Sequence, residues 1–512
     1  MCCPYRCYHS RRNVGLFLPF VFFLFTSLSL AQTAPGGPGK DSQWATAGKQ
    51  GVGTSATLTS KVWFTLAQGV MTEVYYPDVT TANVHLLQFV VVNPKTKNVE
   101  TEQDDATSRV KPRPVSWSKD ISPISNISLP KSFYSESSLV FDQTTSSKSG
   151  KWWIDKSYFT DPASDTVVFS VSFRSEDPEL ELYLYYDPSL SNSGMNDTGW
   201  FQGRSFISVD GGIASALTCG RCRLDLQTSG FYGVNDGLTQ LKVTGKISQV
   251  FSKAQNGNLV QVAKVTPVSV NKTQPMMVFT LGFGKTPDQA LANAQAALEK
   301  GPDKISQQYQ SGWLDYLRSL PKVDPKHQAQ FNMAAMQLKA HEDKSHPGAN
   351  IASLSVPWGG GANANENNIG GYHLVWSRDL YQVATAFMAL GDTAAANRAL
   401  DFVFKVQQRP DGSVPQNSYL DGKPFWGSLQ LDEVAFPLIL AYQLGRNDKA
   451  TYENHVKKAA DFIVKNGPST PQERWEEEAG FSPSTIAAEI AGLVCAADIA
   501  AKTSTGKVPI FG

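Results

Sequence analysis

Apolar and polar positions divide the chain into two textures. From residue 36 to 284, short runs of β-branched and aromatic residues recur, several alternating with a period of two. Val62-Trp63-Phe64-Thr65-Leu66, the 86–92 and 166–171 runs, Leu180-Glu181-Leu182-Tyr183-Leu184-Tyr185-Tyr186 and the 276–281 run are the clearest. Such runs place side chains on opposite faces of a pleated chain, so they predict strands. Turn-forming clusters such as Ser191-Asn192-Ser193-Gly194 and Asn256-Gly257-Asn258 separate them. Many short strands without interleaved helices predict an antiparallel β-sandwich.

Near Thr286 the period lengthens. The Ala-rich stretch 288–298 follows Thr286-Pro287, a helix start signal, and a second helical stretch runs from Lys304 to Leu320, where Pro321 stops it. Residues 285–323 are therefore expected to form a helical linker. From 324 to 512 six helices are predicted, at about 325–342, 378–390, 393–408, 430–444, 449–465 and 484–501. Long Gly-, Asn- and Pro-rich loops at 345–375, 409–429 and 466–483 alternate with short connections such as Leu390-Gly391-Asp392. That rhythm predicts stacked helical hairpins with every long loop at one end, a natural place for a site.

Composition removes some function classes. Forty-six basic residues balance forty-six acidic ones, so nothing favours a nucleic-acid or anionic-membrane partner. Eleven Trp and 17 Tyr are consistent with sugar binding, since flat rings suit the apolar faces of pyranoses. Residues 1–31 read as an export signal. Arg6, Arg11 and Arg12 precede an apolar run from Val14 to Leu30, and Ser29-Leu30-Ala31 offers small residues for cleavage. The expected location is secreted or periplasmic. No later stretch is expected to span a membrane, so no membrane association is expected after cleavage. Cys2, Cys3 and Cys7 lie in the signal. Cys219-Gly220-Arg221-Cys222 lacks the second pair a zinc site requires, leaving a loop thiol pair or a tight disulfide. Cys495 is expected as a small buried residue in an apolar helix.

The three long loops carry the candidate chemistry. The first ends in Trp376-Ser377-Arg378-Asp379, where Arg378 and Asp379 can donate to and accept from adjacent hydroxyls. Local helix capping by Asp379 is the plainer alternative. The second contains Arg409-Pro410-Asp411-Gly412-Ser413-Val414-Pro415-Gln416 and Trp426, with Gln430, Asp432 and Glu433 at the next helix start. Here the alternative makes Trp426 core and the two carboxylates partners of the helix dipole. The third is Gln472-Glu473-Arg474-Trp475-Glu476-Glu477-Glu478. Adjacent carboxylates repel, which favours keeping a proton in the group, and a carboxyl protonated near neutrality can serve as a general acid; a solvated acidic turn is the plainer alternative.

These words together resemble the bacterial glucoamylases and glucodextranases of glycoside hydrolase family 15. In the first half the resemblance rests on Lys61-Val62-Trp63-Phe64-Thr65, Thr72-Glu73-Val74-Tyr75-Tyr76-Pro77 and Gly230-Phe231-Tyr232-Gly233-Val234-Asn235-Asp236-Gly237. In the second it rests on Trp376-Ser377-Arg378-Asp379, Trp426-Gly427 with Gln430 and Asp432, and Glu473-Arg474-Trp475-Glu476-Glu477. The resemblance implies an N-terminal antiparallel supersandwich, a helical linker and an incomplete (α/α)6 barrel, about six of its twelve helices. It implies release of glucose from non-reducing ends of α-1,4-glucans with inversion. An α-1,6-specific glucodextranase and a non-catalytic glucan-binding fragment are the alternatives.

By motif position Glu476 looks like the general acid. Trp376, Arg378, Asp379, Trp426, Gln430, Asp432 and Glu477 would shape the glucose subsites, and Trp475 would pack beside the acid. No metal or organic cofactor is expected. Inversion requires a second carboxylate roughly 6.5–9.5 Å from the first, to activate water. In the family that base lies late in the barrel, and no residue here takes the role. The chain is therefore expected to be truncated, with half-covered helix faces and little glucose release of its own.

Overall fold

The computed structural model describes residues 32–114, 137–268, 276–355 and 372–503. The expected signal segment 1–31, with its three cysteines, and Gly371 of the first loop lie outside the described residues. Two antiparallel sheets account for the first half. One has nine strands, in the order 253–257, 197–202, 205–210, 213–220, 277–284, 166–175, 152–160, 137–147 and 106–114. The other runs 51–53, 63–67, 70–75, 86–93, 181–187, 259–267 and 222–231, with 98–101 paired beside 86–93. Alternation puts the rings inside. Phe169 stands opposite Phe279 in register and stacks on it at 5.2 Å, while Phe89 of the facing sheet meets Phe279 edge-on at 5.6 Å. Burying each such ring stabilises the sandwich by roughly 1.5–3 kcal/mol. A disulfide joins Cys219 and Cys222 where the chain crosses from one sheet to the other.

One helix interrupts the stretch read as strands. Gly237–Thr244 is capped by Asp236, which accepts from Thr239 N, and is closed by Gly245 at φ 73°. Leu241 inserts among Val70, Tyr183 and Val262, so tertiary packing stabilises a helix too short to show a period.

The 287–300 and 302–318 helices lie on the nine-stranded sheet. Gly282 permits the contact, because a Cβ there would meet Ala290 O at 2.5 Å, and Thr280 Oγ1 donates to Ala294 O at 2.9 Å. Tyr309 donates to Leu139 O, and Trp313 Nε1 to Thr54 O at 2.9 Å.

Beyond residue 324 the described helices are 325–340, 377–390, 393–402 running on as a π-helical turn 403–407, 431–443, 449–466 with a π turn at 452–456, and 483–503. The 431–443 helix packs between 377–390 and 483–503. The sheets and helices share one seam. Trp63 Nε1 donates to Ala340 O at 2.9 Å, Val79 N donates to Asp343 Oδ2, and Tyr75 Oη lies 2.9 Å from His373 Nε2. Burial of the His373 ring pushes its pKa down to about 3, assisted by the Lys49 charge.

Two expectations need correcting. The Pro483–Thr503 helix is long and apolar enough to cross a membrane by length and composition. Its small and aliphatic residues Ala488, Ala496 and Ile499 are buried, and Gly492 lies against Ala435, which accounts for that composition through helix packing. Cys495 on the same helix is half-exposed, since it falls outside this packed stripe.

Candidate active site

The three loops meet because each satisfies the backbone of another. A helix start leaves its first N–H groups without internal partners. Neither Trp376 nor Gln430, the residues preceding the 377–390 and 431–443 helices, caps its own helix with a side chain. Instead Arg378 N donates to Glu433 Oε2 at 2.6 Å, and Leu431 N donates to Thr470 Oγ1 at 3.2 Å. The first helix is thus capped by the second, and the second by the third loop. Val375 and Ser418 exchange backbone hydrogen bonds at 3.0 Å, joining the first two loops. Gln407, in the π turn, reinforces that join by donating to Val375 O and Ser418 Oγ, each at 2.9 Å. In the third loop Thr470 and Gly480 pair, closing the loop that carries the acidic run.

On this frame the aromatic and polar candidates converge. Trp376 is buried and meets Trp426 edge-on with ring centroids 6.0 Å apart; Tyr372 lies 5.9 Å on its other side. Trp426 is half-buried, and its N–H donates to Asn417 Oδ1 at 2.9 Å. Arg378 Nη1 donates to Gln430 Oε1 at 2.7 Å and to Asp432 Oδ2 at 3.2 Å. Gln430 passes the chain on, donating to Gln472 Oε1 at 3.2 Å. Burial alone would lower the affinity of Arg378 for its proton, but the acidic cluster around it outweighs that and raises the pKa. Asp379 opens to solvent at the rim, yet the protein around it raises its pKa by desolvation, against the pull of Arg378.

Glu476 sits on the third loop in the left-handed region, at φ 68°. A non-glycine residue there is held at a cost of order 1–3 kcal/mol, so the surrounding structure over-determines it. Glu476 N donates to Glu473 O at 2.9 Å, and its carboxylate Oε1 accepts from Gln416 Nε2 of the second loop. Glu476 is exposed, and this carboxylate reaches across to the second loop. Glu477 is exposed, with its N–H on Glu473 Oε1. Trp475, expected beside the acid, is instead 71% exposed, with the Arg474 guanidinium 5.2 Å over its ring. The turn that presents Glu476 sends the preceding side chain outward.

The sequence reading left three contributors unassigned. Gln416 was visible in the second loop, but nothing in its spacing tied it to residue 476. Gln407 looked like an ordinary helical position. Glu433 was visible only as a dipole partner; in the structure it is fully buried, and desolvation with the Asp432 charge pushes its pKa up to about 8 against the Arg378 charge and the Ser377 hydrogen bond.

Residues 34–318 match the family described as glucodextranase, domain N, and residues 326–508 match glycosyl hydrolases family 15. The chain belongs to the glucodextranase domain N family, and its residues 326–508 are similar to glycosyl hydrolases family 15. It is 38% identical over 475 residues to a glucoamylase of a Clostridium species, covering 91% of this chain and 63% of that protein. The crystal structure of a bacterial glucoamylase complexed with acarbose matches with a TM-score of 0.82 at 37% identity. That match covers 92% of this chain and 66% of the glucoamylase, and it places the helical part in a glucoamylase (α/α)6 barrel fold. An uncharacterised glycosyl hydrolase of Methanocaldococcus jannaschii is 32% identical over 132 residues, 24% of this chain and 21% of that protein. The chain spans less than two thirds of the length of the glucoamylases it matches.

Proposed function

We propose that this chain belongs to an exported, exo-acting hydrolase that releases glucose from the non-reducing ends of α-1,4-glucans with inversion. The observation that carries the reading is the meeting of the Trp376–Trp426 pair, the Arg378–Gln430–Asp432 network and Glu476 across three loops. Trp376 and Trp426 offer apolar surface to a sugar ring. Arg378 and Asp379 hold hydroxyls of the terminal glucose, with Gln430 and Asp432 fixing the guanidinium. Glu477 adds an acceptor at the mouth, and the exposed Trp475 ring extends the sugar-contacting surface. Glu476 protonates the departing glycosidic oxygen as general acid. No described residue is assigned the water-activating role. The acarbose bound by the glucoamylase that this chain resembles supports an α-glucan oligosaccharide as the substrate class.

The match of the first half to a glucodextranase domain favours α-1,6-glucans as the second reading. Glucose release from maltotetraose against isomaltotetraose separates the two, with Glu476→Gln as the control and the product anomer read by proton NMR. If no Glu476-dependent glucose appears and acarbose does not bind, the reading is refuted.

A further inference from the structure

The 431–443 helix opens with two consecutive carboxylates that face inward. Glu433 is fully buried and Asp432 is 3% exposed. Arg378 is the cation they share, with Nη1 3.2 Å from Asp432 Oδ2 and 3.1 Å from Glu433 Oε1. Glu489 adds a third buried carboxyl from the 483–503 helix, its pKa raised by burial and by the Asp432 charge. Asp379 faces the guanidinium from the 377–390 helix. One guanidinium cannot neutralise every carboxylate in so dry a place, and an uncompensated buried charge is costly.

A count of protons shows which group stays neutral. Ser377 Oγ reaches two acceptors on Glu433, the main-chain carbonyl at 2.6 Å and the carboxyl Oε2. A serine hydroxyl has one proton to give. The carbonyl can only accept, so both contacts are satisfied when the carboxyl supplies a proton of its own to Ser377 Oγ. The same carboxyl accepts from Arg378 N at 2.6 Å.

We propose that Glu433 is a positioning residue for the sugar-binding Arg378, tying the Ser377–Arg378 turn to the neighbouring helix so that the guanidinium keeps its aim. It acts as an uncharged acid, leaving the Arg378 charge to Asp432 and to the sugar. Burial in this cluster pushes its pKa up to about 8, in keeping with the proton count. The role rests on the reading of Arg378 as a glucose-holding residue. The protonation of Glu433 does not rest on it.

The test uses the full chain and its Glu433→Gln, Glu433→Asp and Glu433→Ala variants, with acarbose binding measured by titration calorimetry from pH 6 to 9. At pH 6 Glu433→Ala should weaken binding by about tenfold or more, since it leaves Arg378 N without a partner and Ser377 tied only to the main-chain carbonyl. Glu433→Gln should rescue part of that loss: Ser377 Oγ and Arg378 N meet the same oxygen, Oε2, and an amide oxygen placed there keeps the Arg378 N contact while losing only the proton given to Ser377 Oγ. Glu433→Asp, one methylene shorter, should fall between them. Wild-type binding should weaken by about tenfold by pH 9, where roughly a tenth of the group stays protonated, while Glu433→Gln stays flat. An amide as damaging as alanine, or identical pH profiles for wild type and Glu433→Gln, would overturn the proposal. Failure of the wild type to bind acarbose sinks the glucan reading, and the positioning role with it. Carboxyl carbon-13 NMR then decides the protonation separately. A Glu signal titrating near pH 8 in the wild type and missing from Glu433→Gln supports the uncharged acid; its absence overturns it.

Discussion

Lys344→Met isolates the electrostatics of the seam between the sheets and the helices. The ammonium of Lys344 is buried beneath the Trp63 ring, 4.9 Å from its centroid. Its Nζ donates to Thr54 Oγ1 at 2.7 Å, Ser55 Oγ at 3.3 Å and Ser60 O at 2.6 Å. Desolvation pushes its pKa from 10.5 down to about 7, with Asp165 and Asp343 opposing. The folded value lies below the unfolded one. Between pH 7 and 10.5 the unfolded chain therefore holds a proton that the native protein has shed. Stability rises with pH across that window, and the penalty of the buried charge is fully present below pH 7. The whole shift corresponds to about 5 kcal/mol, and the part falling between pH 6 and 9 to roughly 2–3 kcal/mol. Methionine keeps much of the stem's volume and does not titrate. The lost hydrogen bonds add an offset independent of pH. Urea unfolding of both proteins at pH 6, 7, 8 and 9, followed by circular dichroism, gives the difference in unfolding free energy. That difference should climb by roughly 2–3 kcal/mol in favour of the wild type from pH 6 to 9. A flat difference would refute the claim that Lys344 is desolvated.

Three further outcomes follow from the same structure. His373 should not titrate between pH 8 and 4 by proton NMR, because its folded pKa of about 3 lies below the unfolded 6.5; its contribution to stability is lost as pH falls from 6.5 towards 3. Arg378→Met should lower unfolding free energy by about 3–5 kcal/mol in denaturant titrations at pH 7, since Asp432 loses its buried partner. Gly412→Ala should cost more than about 1 kcal/mol in the same assay. Gly412 holds φ 93°, and an added Cβ would fall 2.1 Å from Lys458 O, so the second loop must lift from the helix beneath it.

Periodicity made the broad architecture legible. Alternation located the 86–93 strand within a residue and the start of 277–284, whose end runs three residues beyond the predicted 281, and the helical period located 377–390 and 431–443. Local signals faded where tertiary contacts decide. The Gly237–Thr244 helix was hidden because its stability comes from Leu241 in a β-domain cluster. The continuation of 393–402 as a π turn was hidden because one inserted residue barely alters an apolar stripe. At the candidate site, the resemblance of the three loop motifs to family 15 pointed to Trp376, Arg378, Asp379, Trp426, Gln430, Asp432 and Glu476, while each loop read alone had a plainer alternative. The partners that orient them were not legible. Gln416 meets Glu476 across 60 residues, and Glu433 meets Arg378 across 55, distances no local pattern encodes.

The seam has a consequence for how such proteins can be rearranged. Trp63 and Lys344 each bury a polar atom against the opposite half, and Met336 and Ala340 pack among strand residues. A cut near residue 323 would strip those atoms of their partners and bare tryptophan surface on the sandwich. The front half is therefore no interchangeable cassette. A chimera that swapped it would need to carry Thr54, Ser60 and Trp63 along with their counterparts Ala340 and Lys344, as one inherited unit.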